Sequence, residues 1–129
     1  MAATKPIQLI LARQLASCVA APIMLMDADG TLVFFNEPAE AILNQRFDET
    51  GEITGDELIK LIEVADEGRK PIPPENRPTR VARIERRPVS QTVWTRTANT
   101  AWKHLQITTV PLLGENGTLL GVMHIFWEI

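Results

Sequence analysis

The sequence predicts an α+β domain with an antiparallel sheet, and three observations support this fold class. The chain has 129 residues, which is an ordinary size for one domain. Asp-Gly at 29–30 and Asn-Gly at 116–117 each separate two apolar runs, which is a strong signal for a β-hairpin. Helical patterns occur at the N-terminus and in the middle of the chain, so the predicted order is helix, hairpin, short helices and three hairpin-linked strands.

The first predicted element is a helix within residues 1–20. Ile7, Leu11, Leu15 and Cys18 recur at helical spacing, and we expect this stripe to cover the outer face of the sheet. Other aliphatic side chains of the segment then lack a partner, so we expect a homodimer with the helix at or near its interface. The candidate interface residues are Ile7, Leu9, Ile10, Leu11 and Val19. The alternative is that the helix packs entirely on its own sheet.

The stretch "IMLMDADGTLVFFN" predicts a strand, a tight turn that contains Gly30, and a second strand. Asn36 follows at once. Its side-chain oxygen can accept a hydrogen bond from a free backbone N–H of a following helix, and Pro38 in the first helical turn removes no hydrogen bond. We therefore expect the second strand to pass into a helix without an intervening loop.

Two further short helices are predicted, at residues 56–64 and 79–87. The proline-rich stretch "KPIPPENRP" between them excludes regular structure. The C-terminal part of the chain is rich in β-branched and aromatic residues, and turns at Asn99 and at 116–117 divide it into strands.

These segments resemble a known family, the PAS domains. "PIMLMDADGTLVFFNEPAEAIL" is similar to the first hairpin and helix of the family, with Asn36 at its usual asparagine position. "VARIERRPVSQTVW" and "AWKHLQITTVPLLGENGTLLGVMHIFWEI" resemble the entry into the third strand and the final hairpin. The resemblance implies a PAS domain at residues 21–129, with a flanking N-terminal helix. It also implies a five-stranded antiparallel sheet whose short helices cover one face and enclose a pocket.

Strand alternation, combined with the strand order of the family, predicts an apolar wall inside this fold. Met24 and Met26 share one strand face, and Phe34 is expected to meet them across the hairpin. The candidate pocket residues are Met24, Met26, Phe34, Leu43, Trp94, Leu105, Ile107, His124 and Phe126. Such residues either fill the core or line a cavity for a small apolar or aromatic ligand.

Two polar features of the sequence, the histidines and a series of arginines, need separate interpretation. His104 is expected to face away from the pocket, whereas His124 is either a hydrogen-bonded core residue or a ligand contact. The arginines 77, 80, 83 and 86 recur every three residues and therefore share one side of a helix. We interpret them as a solvated face that pairs with nearby acids, with docking of an acidic partner as the alternative.

Composition excludes several other functions. The net charge is −3, which argues against general attraction to nucleic acid or anionic membranes. The longest uncharged run is interrupted by Pro22, so we expect no membrane span. Cys18 is the only cysteine, so a multi-cysteine metal site is excluded, and no other clustered donor set for a metal is found. We expect a cytoplasmic protein.

The resemblance also allows cofactors to be considered, and none is expected. Flavin photosensors of the PAS family carry a reactive cysteine in a GxNCRFLQ pattern, and haem-binding members usually carry a histidine on the middle helix. This chain has neither, since no histidine lies between residues 37 and 103. A nucleophile elbow and a phosphate-binding glycine loop are missing as well, so we expect no catalysis.

The sequence therefore favours a single-domain PAS sensor of bacterial type. We expect it to bind a small apolar or aromatic ligand in its interior. It would signal to a protein partner in trans, or to an effector domain if the chain is cut from a longer signalling protein. The alternative is a ligand-free interaction or dimerisation module with a filled core.

Overall fold

Six strands form one antiparallel sheet in the computed structural model, which describes residues 5–129. The strands are β1 (Ile23–Asp27), β2 (Leu32–Phe35), β3 (Ile62–Ala65), β4 (Val89–Thr97), β5 (Lys103–Leu113) and β6 (Leu119–Glu128). Their order across the sheet is β2-β1-β6-β5-β4-β3, and all neighbours are antiparallel. The predicted α+β class with an antiparallel sheet is confirmed, with six strands where five were expected.

Five short helices accompany the sheet. They are α1 (Ile7–Ala16), α2 (Glu37–Leu43), α3 (Phe47–Thr50), α4 (Gly55–Leu61) and α5 (Pro78–Glu85), and a 3₁₀ turn (Pro74–Asn76) precedes α5. Residues 1–4 of the predicted N-terminal segment lie outside the described residues. Within residues 5–129, no helix combines the length and the apolar character that crossing a membrane requires.

Strand β3 is the element that the sequence interpretation missed, because residues 62–64 were assigned to the end of a helix. Helix α4 begins at a capping box of Thr54 and Glu57 and ends at Leu61. The next four residues pair with β4, Ile62 opposite Thr97. The β-branched residues of this segment suit a strand, and the free edge of β4 supplies the hydrogen-bond partners.

The sheet has two differently covered faces. Helices α2, α4 and α5 lie over the inner face, and apolar side chains of α2 and α4 join a core with Met24, Phe35 and Leu105. Helix α1 lies over part of the outer face, where a second apolar cluster includes Leu25 and Phe34. The inner face, with its covering helices, is therefore where an interior site can form.

Helix α1 contacts the sheet through a different side from the predicted one. Leu9 and Ala16 are buried in the outer cluster, and Val19 packs against its edge. The predicted sheet-facing stripe points to solvent, with Leu11 56% and Leu15 60% exposed. The expectation that Leu9 belongs to a dimer interface is therefore wrong, whereas Val19 is half-buried and its place in an interface stays a prediction. Residues 9, 12 and 16 also recur at helical spacing, and the two alanines allow the helix to approach the sheet.

Asn36 ties three elements together where β2 becomes α2. Its Oδ1 accepts hydrogen bonds from the amides of Ala39, as the N-cap of α2, and of Ile23 at the start of β1. Its Nδ2 donates to backbone carbonyls in and after α1. These carbonyls belong to Ala16, Val19 and Ala21, at 3.0, 3.3 and 2.9 Å. The side chain is buried, so it fixes the position of α1 as well as the start of α2.

Candidate ligand-binding cavity

A cavity of about 320 Å³ lies between the inner face of the sheet and the helices α4 and α5. The apolar part of its sheet wall comes from β1, β5 and β6. The side chains of this wall are Met24, Met26, Ile107 and Phe126. Leu43 and Leu58 add apolar surface from α2 and α4. The volume is at the small end of the range of about 300–1,000 Å³ that is usual for ligand pockets.

The structure places most of the predicted pocket residues around this cavity. Six of the nine line it, namely Met24, Met26, Leu43, Ile107, His124 and Phe126. Leu105 is buried in the same inner core without lining the cavity. Two predicted residues, Phe34 and Trp94, lie elsewhere.

Phe34 was expected in the pocket and packs instead on the outer face. In the first hairpin Met24 pairs with Phe35 and Leu25 pairs with Phe34, with an irregularity after Leu25. Directly opposed residues share a face, so Phe35 joins Met24 in the inner core and Phe34 joins the outer cluster. The prediction was wrong because a shift of one residue in the register moves a side chain to the other face.

Trp94 was also expected in the pocket and also lies on the outer face. Its neighbours Val93 and Thr95 are buried toward the interior, whereas the Trp94 ring stacks on His104 at 4.3 Å between centroids. The guanidinium of Arg69 lies 4.2 Å from the Trp94 centroid. The predicted outward orientation of His104 is confirmed, since its Nε2 lies 2.8 Å from a carboxylate oxygen of Glu67.

His124 is a buried polar residue in the cavity wall. Its Nδ1 lies 2.8 Å from the hydroxyl oxygen of Thr109, and its Nε2 lies 2.7 Å from that of Thr79 on α5. Burial disfavours the charged imidazolium and lowers the pKa of His124 from 6.5 to about 4. His124 is therefore neutral near pH 7, and it both satisfies its hydrogen bonds within the core and contacts the cavity.

Thr95 presents a polar atom to the same cavity. The side chain is 1% exposed, and its hydroxyl has no hydrogen-bond partner within residues 5–129. Thr97 on the same strand and Thr109 on β5 are buried too, but their hydroxyls are paired. An unpaired buried hydroxyl is unfavourable in the empty protein.

The arginine series on α5 contributes to the cavity, which the sequence interpretation did not anticipate. Arg77, Arg80 and Arg83 line it, together with the carboxylates of Asp29 and Asp56. Within the described chain these arginines make no ion pair closer than 4 Å, so the expected pairing of this face with nearby acids is not found. The regular spacing was visible in the sequence, but a surface stripe and a cavity wall have the same pattern.

The thiol and metal-binding possibilities of the cavity are limited. Cys18 is exposed in the segment after α1 and is not a lining residue. Among residues 5–129, no group of three or more histidine, cysteine, aspartate or glutamate side chains has the arrangement of a metal site. The polar groups of the cavity are thus hydroxyl, imidazole, carboxylate and guanidinium groups.

The fold is shared with solved structures, although sequence comparison finds no relative: no family model and no curated protein matches the chain. The PAS domain of BvgS from Bordetella pertussis matches 95% of this chain over 85% of its own, with 18% identity and a TM-score of 0.62. A PAS domain from Colwellia psychrerythraea matches 93% of this chain over 97% of its own, with 16% identity and a TM-score of 0.64.

A light-oxygen-voltage (LOV) domain also shares this fold at low sequence identity. The LOV domain of the blue-light activated histidine kinase EL346 from Erythrobacter litoralis matches 86% of this chain over 97% of its own, with 15% identity and a TM-score of 0.63. At sequence identities this low, the similarity shows a shared fold and nothing more. The chain has a PAS-type fold, and the prediction made from the sequence resemblance is confirmed.

Proposed function

We propose that this PAS-fold protein is a sensory or regulatory module that binds a small ligand with an apolar body in its interior cavity. The observation that carries the proposal is the 320 Å³ cavity, whose sheet wall is largely apolar and whose buried imidazole, His124, is held in position by two threonines. Ligand sites typically combine an apolar lining with a small number of oriented polar groups.

The structural neighbours support the sensory part of the proposal. One of them is a domain of a kinase whose activation by blue light makes it a sensor. That domain belongs to a protein with a separate kinase activity. Here the output would be a protein partner in trans or an effector domain linked to this one.

The ligand that we propose is not a flavin held by a cysteine adduct, and it is not haem. The fold is shared with light-oxygen-voltage domains, but Cys18 is exposed and lies outside the cavity. His124 is the histidine of the cavity, and hydroxyl groups occupy both of its ring nitrogens. The lining residues therefore do not fit either of these cofactors, and a small, non-covalently bound molecule fits them better.

We also propose that the protein binds rather than catalyses. A catalytic histidine is usually oriented by a carboxylate and placed against a nucleophile or substrate, whereas His124 is buried and both of its ring nitrogens contact threonine hydroxyls. The cavity aspartates, Asp29 and Asp56, come from loop and helix ends and are not hydrogen-bonded to His124. This arrangement suits a receptor whose occupancy is the signal.

Homodimerisation is the second part of the proposed function. Large aliphatic side chains of α1 are exposed on the side that faces away from the sheet, including Ile7, Leu11 and Leu15. Trp127 and Ile129 at the end of β6 are exposed as well, and β6 pairs with β1, which follows α1. A second copy of the chain would cover such a surface.

Ligand binding can be tested by filling the cavity. Native mass spectrometry of the purified full chain would first detect a retained molecule. The neutral probe 2-phenylethanol would then be titrated into the wild type and into Ile107→Phe, whose larger side chain enters the cavity. Thr108→Phe is the matched control, because the adjacent residue points to the other face.

We expect 2-phenylethanol to raise the melting temperature of the wild type and of the Thr108→Phe variant, but not that of the Ile107→Phe variant. Circular dichroism would establish that both variants are folded. Equal responses of the two variants would contradict binding in the cavity. No response of the wild type, together with no retained mass, would favour the filled-core interaction module.

A further inference from the structure

The polar groups of the cavity carry unbalanced positive charge. Three arginines line it, Arg77, Arg80 and Arg83, against two aspartates, Asp29 and Asp56. None of these arginines has a carboxylate within 4 Å in the part of the chain that the structure describes. His124 adds no charge near pH 7, because its pKa is about 4.

Arg83 shows the imbalance at the atomic level. Its Nη2 donates to the carbonyl oxygen of Ala28 at 2.9 Å, which holds the side chain against the first hairpin. Its Nε is buried and has no hydrogen-bond partner within residues 5–129. A buried donor of a charged group is costly when it is unpaired, so the described residues alone do not satisfy the guanidinium group of Arg83.

Arg77, at the start of α5, is also a partly buried arginine without a carboxylate partner in the described part of the chain. Its Nε donates to the carbonyl oxygen of Ile72 at 3.3 Å, and the side chain is half-buried. Desolvation lowers the pKa of Arg77, because no neighbouring carboxylate compensates for the lost water. A guanidinium group pairs best with a planar carboxylate or a phosphate.

The remainder of the cavity excludes a small hydrated anion as the natural occupant. Met24, Met26, Ile107 and Phe126 form an apolar part of the sheet wall that offers no hydrogen bonds, beside the polar side chains of His124 and Thr95. Such a surface is favourable for a hydrocarbon chain or an aromatic ring and unfavourable for an ion that keeps its water. The limited volume favours one compact molecule.

We propose that the cavity binds a small carboxylic acid with an apolar body. Its carboxylate accepts hydrogen bonds from the guanidinium groups of Arg83 and Arg77, and its hydrocarbon or aromatic part lies on the wall formed by β1, β5 and β6. This inference rests on the proposed ligand-binding function and names the chemical class of the ligand.

The test compares acids with neutral molecules of the same shape. Phenylacetate and hexanoate would be titrated calorimetrically into the full chain, beside 2-phenylethanol and hexan-1-ol. We expect each acid to bind at least about 10-fold more tightly than its alcohol, since a hydrogen bond to a charged group contributes about 1.5–3 kcal/mol.

Three variants locate the effect. Arg83→Gln is expected to weaken the binding of the acids by about 10- to 100-fold while it leaves the alcohols within about twofold. Arg83→Lys keeps the charge and should retain part of the preference for acids. Arg87→Gln is the matched control, because Arg87 lies outside the cavity and pairs with Glu85. Arg77→Gln gives an independent measurement if Arg83→Gln is poorly folded.

The outcomes separate the two proposals. If the alcohols bind and the acids bind no better, the carboxylic acid class is overturned and the ligand-binding function stands. If both the Arg83→Gln and Arg77→Gln variants retain the preference for acids, the pairing of the carboxylate with these two arginines is overturned. If neither acids nor alcohols bind to the wild type, both proposals fail. A preference for acids that is lost in Arg83→Gln and kept in Arg87→Gln would establish the inference.

Discussion

The Nε2 atom of His124 lies 2.7 Å from the hydroxyl oxygen of Thr79, so the last strand of the sheet is joined to helix α5 through a buried imidazole. Thr109 on the neighbouring strand holds the other ring nitrogen at 2.8 Å. A hydroxyl can donate or accept, so both contacts are satisfied by a neutral ring. This link places a titratable group between the sheet and the helix that carries the cavity arginines.

The first prediction is that His124 makes the protein less stable as the pH falls from about 6.5 to about 4. Its folded-state pKa is lowered to about 4. In this window the unfolded chain binds a proton at His124 and the folded chain does not, so acid favours unfolding. Above pH 6.5 both states are neutral, and the contribution is constant. The shift corresponds to roughly 3 kcal/mol at most.

Denaturant unfolding of the wild type and of His124→Gln between pH 4 and pH 8 measures this effect. Other titratable groups around the cavity are Asp29, Asp56, Arg77, Arg80 and Arg83, and they are present in both proteins. The variant is expected to be less stable at pH 7, but the difference between the two proteins should shrink toward pH 4. A difference that is independent of pH would contradict a neutral, buried His124.

The second prediction compares two buried threonines. Thr95→Val removes a hydroxyl without a partner and should leave the free energy of unfolding of the empty protein unchanged or raise it by about 1 kcal/mol. Thr109→Val removes the partner of His124 Nδ1 and should lower it by about 1–3 kcal/mol. Urea unfolding at pH 7 distinguishes the two. A clear loss of stability in Thr95→Val would mean that its hydroxyl is satisfied, for instance by water in the cavity.

The third prediction concerns Asn36, whose role extends beyond the N-cap that its sequence position predicts. Its amide also donates to three carbonyls around the end of α1. Asn36→Ala should therefore cost roughly 2–4 kcal/mol, since the cap is lost and buried backbone groups are left unpaired. Thr54→Ala is the matched control, because Thr54 caps α4 at an exposed position, and it should cost about 1 kcal/mol.

Asn36→Asp separates the two halves of this side chain. It keeps an oxygen for the amides of Ile23 and Ala39, but a carboxylate cannot donate to the carbonyls after α1. We expect a loss of stability at pH 7 close to that of Asn36→Ala, with partial recovery in acid when the carboxyl group gains a proton. Equal costs for Asn36→Ala and Thr54→Ala would show that the cap alone matters.

Local sequence signals correctly predicted the Asx-Gly turns and the N-cap of α2. Gly30 has a φ of 89°, and Asn116 and Gly117 have φ values of 58° and 74°, as the tight turns at Asx-Gly pairs require. The abrupt passage from β2 into α2 at Asn36 also follows from residue chemistry. These features depend on only four or five adjacent residues, so they can be predicted from the local sequence.

Features that depend on pairing across the chain were less predictable. Phe34 and Phe35 are chemically identical neighbours, and only the register of the first hairpin decides that Phe35 enters the core. Strand β3 exists because β4 offers it a free edge, and its sequence also suits the end of a helix. The cavity arginines have the spacing of a solvated helix face, and only the packing of α5 on the sheet shows that Arg77 and Arg83 turn inward.

The last prediction is that the chain forms a homodimer through the exposed side of α1. Ile7, Leu11 and Leu15 are 66%, 56% and 60% exposed, and they form one stripe, because the opposite side of the helix is committed to the sheet. Burying one such side chain contributes roughly 1.5–3 kcal/mol, and two-fold symmetry doubles the number that is buried. Deleting the helix would disturb the carbonyls that Asn36 binds, so single charged substitutions on its outer side are the sharper test.

Sedimentation equilibrium at micromolar concentration would compare the wild type with Leu15→Glu and with Ile84→Glu. Ile84 on α5 is 64% exposed and lies away from α1, so it matches Leu15 in type and exposure without belonging to the proposed interface. We expect a dimer for the wild type and for Ile84→Glu, and a monomer for Leu15→Glu, since a carboxylate in an apolar interface loses its water without gaining a partner. A monomeric wild type would end the proposal. A dimer that survives Leu15→Glu and a further Leu11→Glu change would move the interface away from α1, to the exposed end of β6 at Trp127 or to another surface.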